Sequence, residues 1–429
     1  MSSRAVVPTE QALKALERFD EPLPESPEDA QETIRLLDDF GSPATIASTG
    51  GRYFGFVTGG TLPAALAANW LAGAWDQNTA LPVMSPVAAK LHSVVNRWLV
   101  DVLNLPGGTQ AAFVTGSAMA NTAALAAARD QQLSLHGWDA NSRGLFGAPA
   151  VHVVVGADAH STLIRALGVV GLGRDRVIRV PTDDQGRIRP DHLPSGLGDG
   201  PTIVCAQAGE VNTGAFDPFP AIVEWARSRR AWVHVDGAFG LWARADPSRS
   251  HLTAGLDGAD SWAVDAHKWL NVPYDSGICL VRRAEDLRRT FAAATGYLPP
   301  DHGFEAMHHT PQASQRARQI EVWAALRTLG RQGVAELVQR TCDYAAALAA
   351  RLQAGGLQVL NEVVLNQVLV GTGDDAGTLA MMAAVQEDGT CWCGPTLWDG
   401  RPAMRISVSG WATTPGDIDA SADAILAAA

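Results

Sequence analysis

Cysteine is scarce in this chain: five residues in 429, at positions 205, 279, 342, 391 and 393. The odd count and irregular spacing give no disulfide framework. Cys391 and Cys393 are close, but no second pair or histidine cluster accompanies them, so no metal site is expected. Positive charge is also in deficit. Lys and Arg total 33 against 45 Asp and Glu, a formal charge of -12, which disfavours nucleic acid or an anionic membrane as a partner. Long apolar runs are missing as well. The first 30 residues, MSSRAVVPTEQALKALERFDEPLPESPEDA, have no apolar leader core, and no later stretch is long and apolar enough to cross a bilayer. The expectation is a soluble, cytoplasmic protein with reduced thiols.

What is present is a globular composition, 47% hydrophobic and 18% charged, in a chain too long for one ordinary core. Residues 1–55 carry an amphipathic helix signal (Gln11 to Phe19) and the segment ETIRLLDDF. Such a short segment is expected to pack on a larger body or on a partner subunit. From Ala111 onward, short apolar runs alternate with helical ones: AAFVTG, then ANTAALAAARDQQL; VHVVVG, then STLIRALGVVGLG; TIVCAQAG, then FPAIVEWARSRR; and AWVHVDGAFG. DRVIRVP, SWAVDAH and SGICLVRR add further strands. All-apolar strands interleaved with helices predict an α/β domain with a mostly parallel sheet covered on both faces, assigned to residues 56–300. Residues 301–429 read as a smaller α+β domain, with a long helical stretch followed by the strand candidates LQVLNEVVLNQVLVG and AMRISVSG.

Ligands of such sheets sit beyond the carboxyl ends of the strands. There the sequence places a Gly-Ser-Ala turn opening a helix (TGSAMANT), His160 in ADAHS, Asp236 in HVDGAFG and Lys268 in DAHKWLNVPYDSG. Each has a plain reading: a capped helix start, a structural histidine, a lysine snorkelling at the core rim. Together they supply an anion cradle, an aromatic ring, a buried acid and a desolvated amine. Pyridoxal 5'-phosphate (PLP) uses all four.

These motifs, in this order, resemble the group II PLP-dependent amino acid decarboxylases, relatives of the aromatic amino acid, histidine and glutamate enzymes. The likeness runs from about Arg52 to Asp419 and includes RYFGFVTGGTLPAALAANWLAGAW and AQAGEVNTGAFDPF. The resemblance implies an aspartate aminotransferase-like (fold type I) architecture with a seven-stranded sheet, and a homodimer. It implies Lys268 as the Schiff-base residue, Asp236 as partner of the pyridine nitrogen, His160 stacked on the ring and Ala238 touching it. Ser117, Ala118 and His267 would meet the phosphate, and Tyr297, in FAAATGYLPPDHG, would protonate Cα after carbon dioxide leaves.

Some positions depart from the family pattern. Glu210 stands where a small polar residue is common, Gly237 replaces an alanine, and Gln315 precedes Arg316 in place of a second basic or small residue. Arg405 sits where aminotransferases of this fold clamp a carboxylate, which leaves transamination as the rival reaction. Two further readings are oxidative deamination and a non-catalytic PLP-binding protein. Phe54, Phe56 and Trp75 are candidates for contact with an aromatic substrate, or for the core.

Overall fold

The computed structural model of the chain describes residues 5–292 and 304–429. Seven strands form the larger sheet: β1 (Gln110–Val114), β2 (His152–Gly156), β3 (Ile178–Val180), β4 (Thr202–Gln207), β5 (Trp232–Asp236), β6 (Ser261–Asp265) and β7 (Gly277–Val281). Their order is β1-β7-β6-β5-β4-β2-β3. The pairs β2–β3, β2–β4, β4–β5 and β5–β6 are parallel. Only β7 runs against its neighbours β6 and β1. It follows β6 through a connection without a helix, and a strand that returns without a crossover must pair antiparallel. The carboxyl ends of β1, β2, β4, β5 and β6 therefore lie along one edge.

The strands are buried on both faces because helices cover them. On one face lies the helix Ser117–Leu135, whose alanines at 120, 123, 124, 127 and 128 are buried and let it approach the sheet closely. On the other, Trp242, Trp262, Trp269 and Phe239 fill a core shared with the helices Pro86–Val102 and Phe219–Arg229.

A second, antiparallel sheet contains β8 (Gln358–Val359), β9 (Gln367–Gly371), β10 (Gly394–Trp398) and β11 (Arg401–Ser407), in the order β10-β11-β9-β8. The long helix Gln319–Ala354 joins the two cores. Its first half packs with the large sheet's core, and its second half, from Ala345, with the small sheet's. Gly330, at φ 62°, breaks the helix within its first half, a conformation that a side chain would resist.

Candidate active site

At the end of β6 the chain turns through residues 266–276, with Trp269, Leu270 and Val272 driven into the core. Those anchors leave Lys268 partly exposed at the sheet edge. Its Nζ lies 3.3 Å from Asp265 Oδ2. Asp265 is itself buried, and its Oδ1 accepts the backbone N–H of Ser117 at 2.5 Å. His267 Nε2 is 3.6 Å from that same oxygen, and His267 Nδ1 accepts the N–H of Ser276. Burial, ahead of its charged neighbours, pushes His267 below the ordinary histidine range.

Glycines bring these pieces together. A Cβ on Gly116 would meet His267 Cε1 at 3.2 Å and Asp265 Oδ1 at 3.5 Å, while one on Gly277 would stand 2.3 Å from Gly116 Cα. The start of the helix Ser117–Leu135, with Ala118 in its first turn, is thus pressed against the lysine turn. The N-terminus of a 19-residue helix beside a histidine and a lysine is a setting for a phosphate.

Asp236 ends β5 at 5% exposure. Its oxygens accept from two neutral donors, Asn121 Nδ2 at 3.1 Å and the N–H of Ala238 at 3.2 Å. A buried carboxylate so served is completed by a cation, as a protonated pyridine nitrogen would be. His160 caps the helix Ser161–Val169: its Nδ1 accepts the N–H of Thr162 and lies 2.6 Å from Thr162 Oγ1. Gln207 Oε1 holds its backbone N–H at 3.1 Å. Burial lowers its pKa first, Asp236 opposes that shift, and Lys268 and Arg405 reinforce it. Those influences place His160 among the other candidates.

The sequence-predicted residues Ser117, Ala118, His160, Asp236, Ala238, His267 and Lys268 all fall on this edge. Tyr297 lies outside the described residues. Sequence reasoning overlooked Asp265, although it is the aspartate of the DAHK motif, and it overlooked Asn121 and His234 behind Asp236. The signal available for Asn121 was its place one turn into the helix that starts at Ser117.

The departures acquire reasons here. A Cβ on Gly237 would come within 2.8 Å of Leu241 Cβ. Glu210 is turned into its own loop, where Oε2 accepts the N–H groups of Asn212 and Thr213, and burial raises its pKa. Arg405 Nη1 reaches Asn212 Oδ1 at 3.5 Å. Arg316 and Arg318 both clamp Asp275 in the lysine turn, and Gln315 Oε1 accepts from Arg318. Phe54 is core, at 1% exposure, whereas Phe56 is exposed and lies against Trp392, which also stacks on Tyr53. Beside His160, a cleft of about 900 Å³ opens toward the small sheet, lined in part by Glu210, Asn212, Trp398 and Arg401.

Comparison with known proteins gives the family and the fold. The family model for the pyridoxal-dependent decarboxylase conserved domain matches residues 13–370. An L-2,4-diaminobutyrate decarboxylase of Rhizobium meliloti is 29% identical over 84% of this chain and 74% of its own length. An aromatic-L-amino-acid decarboxylase of Bacillus atrophaeus is 26% identical over 79% and 69% respectively. In fold, the chain superposes on mouse CSAD in apo form with a TM-score of 0.90, at 20% identity, covering 100% of this chain and 94% of that one. An Oryza sativa TDC with PLP and tryptamine gives the same score at 21% identity, covering 99% and 92%. With a matching family model, related decarboxylases and a site whose donors and charges suit PLP, the chain belongs to the pyridoxal-dependent decarboxylases and is a carboxy-lyase that removes carbon dioxide from an amino acid.

Proposed function

We propose that Lys268 is the residue that holds the cofactor covalently, and that Ser117, Ala118 and His267 hold its phosphate. Asp236 faces the pyridine nitrogen, His160 lies against the ring, and Ala238 touches it. The observation that carries this reading is the shared edge: amine, acid, histidine and helix N-terminus meet there, with Asp265 joining Lys268 to Ser117.

When bound, PLP supplies an electron-withdrawing ring that stabilises negative charge left at the substrate's Cα. Asp236 keeps a negative charge beside the ring nitrogen, favouring its protonated form. His160, fixed by Thr162 and Gln207, holds a flat surface over the site and excludes water from it. Tyr297 delivers the proton to Cα, in keeping with its register in the family motif. Lys268 would be the residue that holds the cofactor between turnovers.

The reading extends to organisation. Residues 1–55 are an N-terminal segment, 56–300 the PLP-binding domain and 301–429 the small domain. The chain works as a cytoplasmic homodimer. All five cysteines are free and buried, which suits a reducing compartment. Among the described residues no helix is long and apolar enough to cross a membrane. Exposed Leu13, Leu16 and Ile34 on the N-terminal helices, and Trp70 and Leu71 on the helix Pro63–Trp75, are apolar surface of the kind a second subunit covers.

The test is carbon dioxide release from a panel of L-amino acids by the cofactor-loaded protein under air. Release with the amine as product, abolished in Lys268→Ala, is the expected result and names the substrate class. A keto acid as the main product, or full activity in Lys268→Ala, overturns the assignment.

A further inference from the structure

Behind Asp236 lies a buried relay that none of the residue roles above uses. Asn121, His234 and Ser261 are at 0% exposure and Trp232 at 2%. Trp232 Nε1 donates to Ser261 Oγ at 2.8 Å. Ser261 Oγ is 2.9 Å from His234 Nδ1, His234 Nε2 is 2.9 Å from Asn121 Oδ1, and Asn121 Nδ2 donates to Asp236 Oδ2 at 3.1 Å.

The direction of this chain is fixed at its far end. An indole nitrogen only donates, so Ser261 Oγ accepts from Trp232, and among the described residues the partner left for its own hydrogen is His234 Nδ1. Burial pushes His234 down to about 3, so the ring is neutral and carries one N–H. With Nδ1 accepting, that hydrogen sits on Nε2 and points at Asn121 Oδ1. The amide is thereby oriented with its NH₂ toward Asp236, and every hydrogen bond runs the same way, into the carboxylate. Cys205 and Ser261 are the register partners flanking His234 on β4 and β6, and neither brings a charge to it.

We propose that Asn121 and His234 are positioning residues that lock Asp236 as an ionised hydrogen-bond acceptor, and so set how firmly the cofactor's ring nitrogen is held protonated. The inference rests on Asp236 facing that nitrogen. A carboxylate that receives a directed N–H from a buried network is favoured in its charged form. If the Asn121 amide were free to turn, its carbonyl oxygen would face Asp236 instead and favour the protonated acid.

The experiment uses holoenzyme reconstituted with cofactor labelled with nitrogen-15 in the ring, read by NMR, alongside kcat and KM. His234→Gln keeps a donor at the position of Nε2 and should retain the protonated ring-nitrogen signal. His234→Leu and Asn121→Leu should shift the signal toward the unprotonated form and lower kcat by about tenfold or more with KM little changed. A purely structural role would leave the nitrogen signal in place whatever happened to the rate. A protonated signal in both leucine variants overturns the proposal, and Asn121→Leu decides if His234→Leu does not fold. Asp236→Asn separates the two levels. If it leaves the signal unchanged, the placement of Asp236 itself is wrong; if it shifts the signal and the leucine variants do not, only the relay fails.

Discussion

Lys268 Nζ and Asp265 Oδ2 stand 3.3 Å apart, and the same carboxylate receives the N–H of Ser117 at the helix N-terminus. Asp265 thus sets a negative charge beside the amine of Lys268 and beside the helix N-terminus proposed to hold the phosphate. A unit charge about 5 Å from a phosphate at an effective dielectric near 20 opposes it by roughly 3 kcal/mol. Asp265→Asn keeps an oxygen for Ser117 and removes the charge. The expected outcome is PLP bound about tenfold tighter or more, a gain of at least about 1.4 kcal/mol, while pyridoxal, which lacks the phosphate, binds as before. Spectrophotometric titration of the apo-protein with both compounds measures this. Equal changes for the two would mean that Asp265 acts through Lys268 or the turn rather than on the phosphate.

On the proposed assignment, Tyr297 would matter to product rather than to carbon dioxide release. A phenol near Cα ends the reaction by supplying a proton, and phenylalanine leaves the negative charge there to react with oxygen. Tyr297→Phe should still release carbon dioxide but yield aldehyde, ammonia and peroxide under air in place of most of the amine. An oxygen electrode and product chromatography read the switch. Unchanged amine formation would mean that another group delivers the proton.

Gly59 lies against the lysine turn so closely that a Cβ would be 1.6 Å from the Lys268 carbonyl oxygen. Backbone cannot yield as a flexible side chain can. Gly59→Ala should therefore displace the turn, costing about 3 kcal/mol or more in urea denaturation and weakening cofactor retention. The control is Gly73→Ala, where an added Cβ meets nothing within 4 Å and the helix Pro63–Trp75 should gain slightly.

Much of this arrangement was legible in the sequence because strands buried on both faces declare themselves as unbroken apolar runs. VHVVVG, TIVCAQAG and AWVHVDGAFG all became strands of the large sheet; the second and third end on Gln207 and Asp236, and His160 follows the first, all at one edge. The antiparallel course of β7 was less visible, since SGICLVRR reads the same in either direction. Asn121 and Ser261 were harder to read for a physical reason. A polar residue inside an alanine-rich helix or at a strand start looks solvent-facing until its partner, distant in sequence, is known. Phe56 and Phe54 show the opposite limit: two residues apart, with the same side chain, one is core and the other is surface.

Two buried groups outside the site make stability depend on pH in opposite senses. His92, packed between Phe113 and Phe304 and facing His309, is pushed down to about 3, chiefly by burial. Between its ordinary value of 6.5 and about 3 the unfolded chain binds a proton that the folded one refuses. Its contribution is thus fully present above pH 6.5 and lost as the pH falls below that value. Asp217 accepts the N–H groups of Ile188 and Gln207, yet burial raises it from 3.8 to about 7, so its charging weakens the fold as pH rises through that window. The two slopes offset each other in the parent chain, and a variant is needed to separate them. His92→Phe keeps a ring in the stack and removes the titration; Gln110 Nε2, which donates to His92, still reaches the Ala111 carbonyl. Relative to the parent, this variant should gain about 2 kcal/mol on going from pH 7.5 to pH 5, in urea denaturation at both values. A difference independent of pH would mean that His92 accepts its proton in the folded chain.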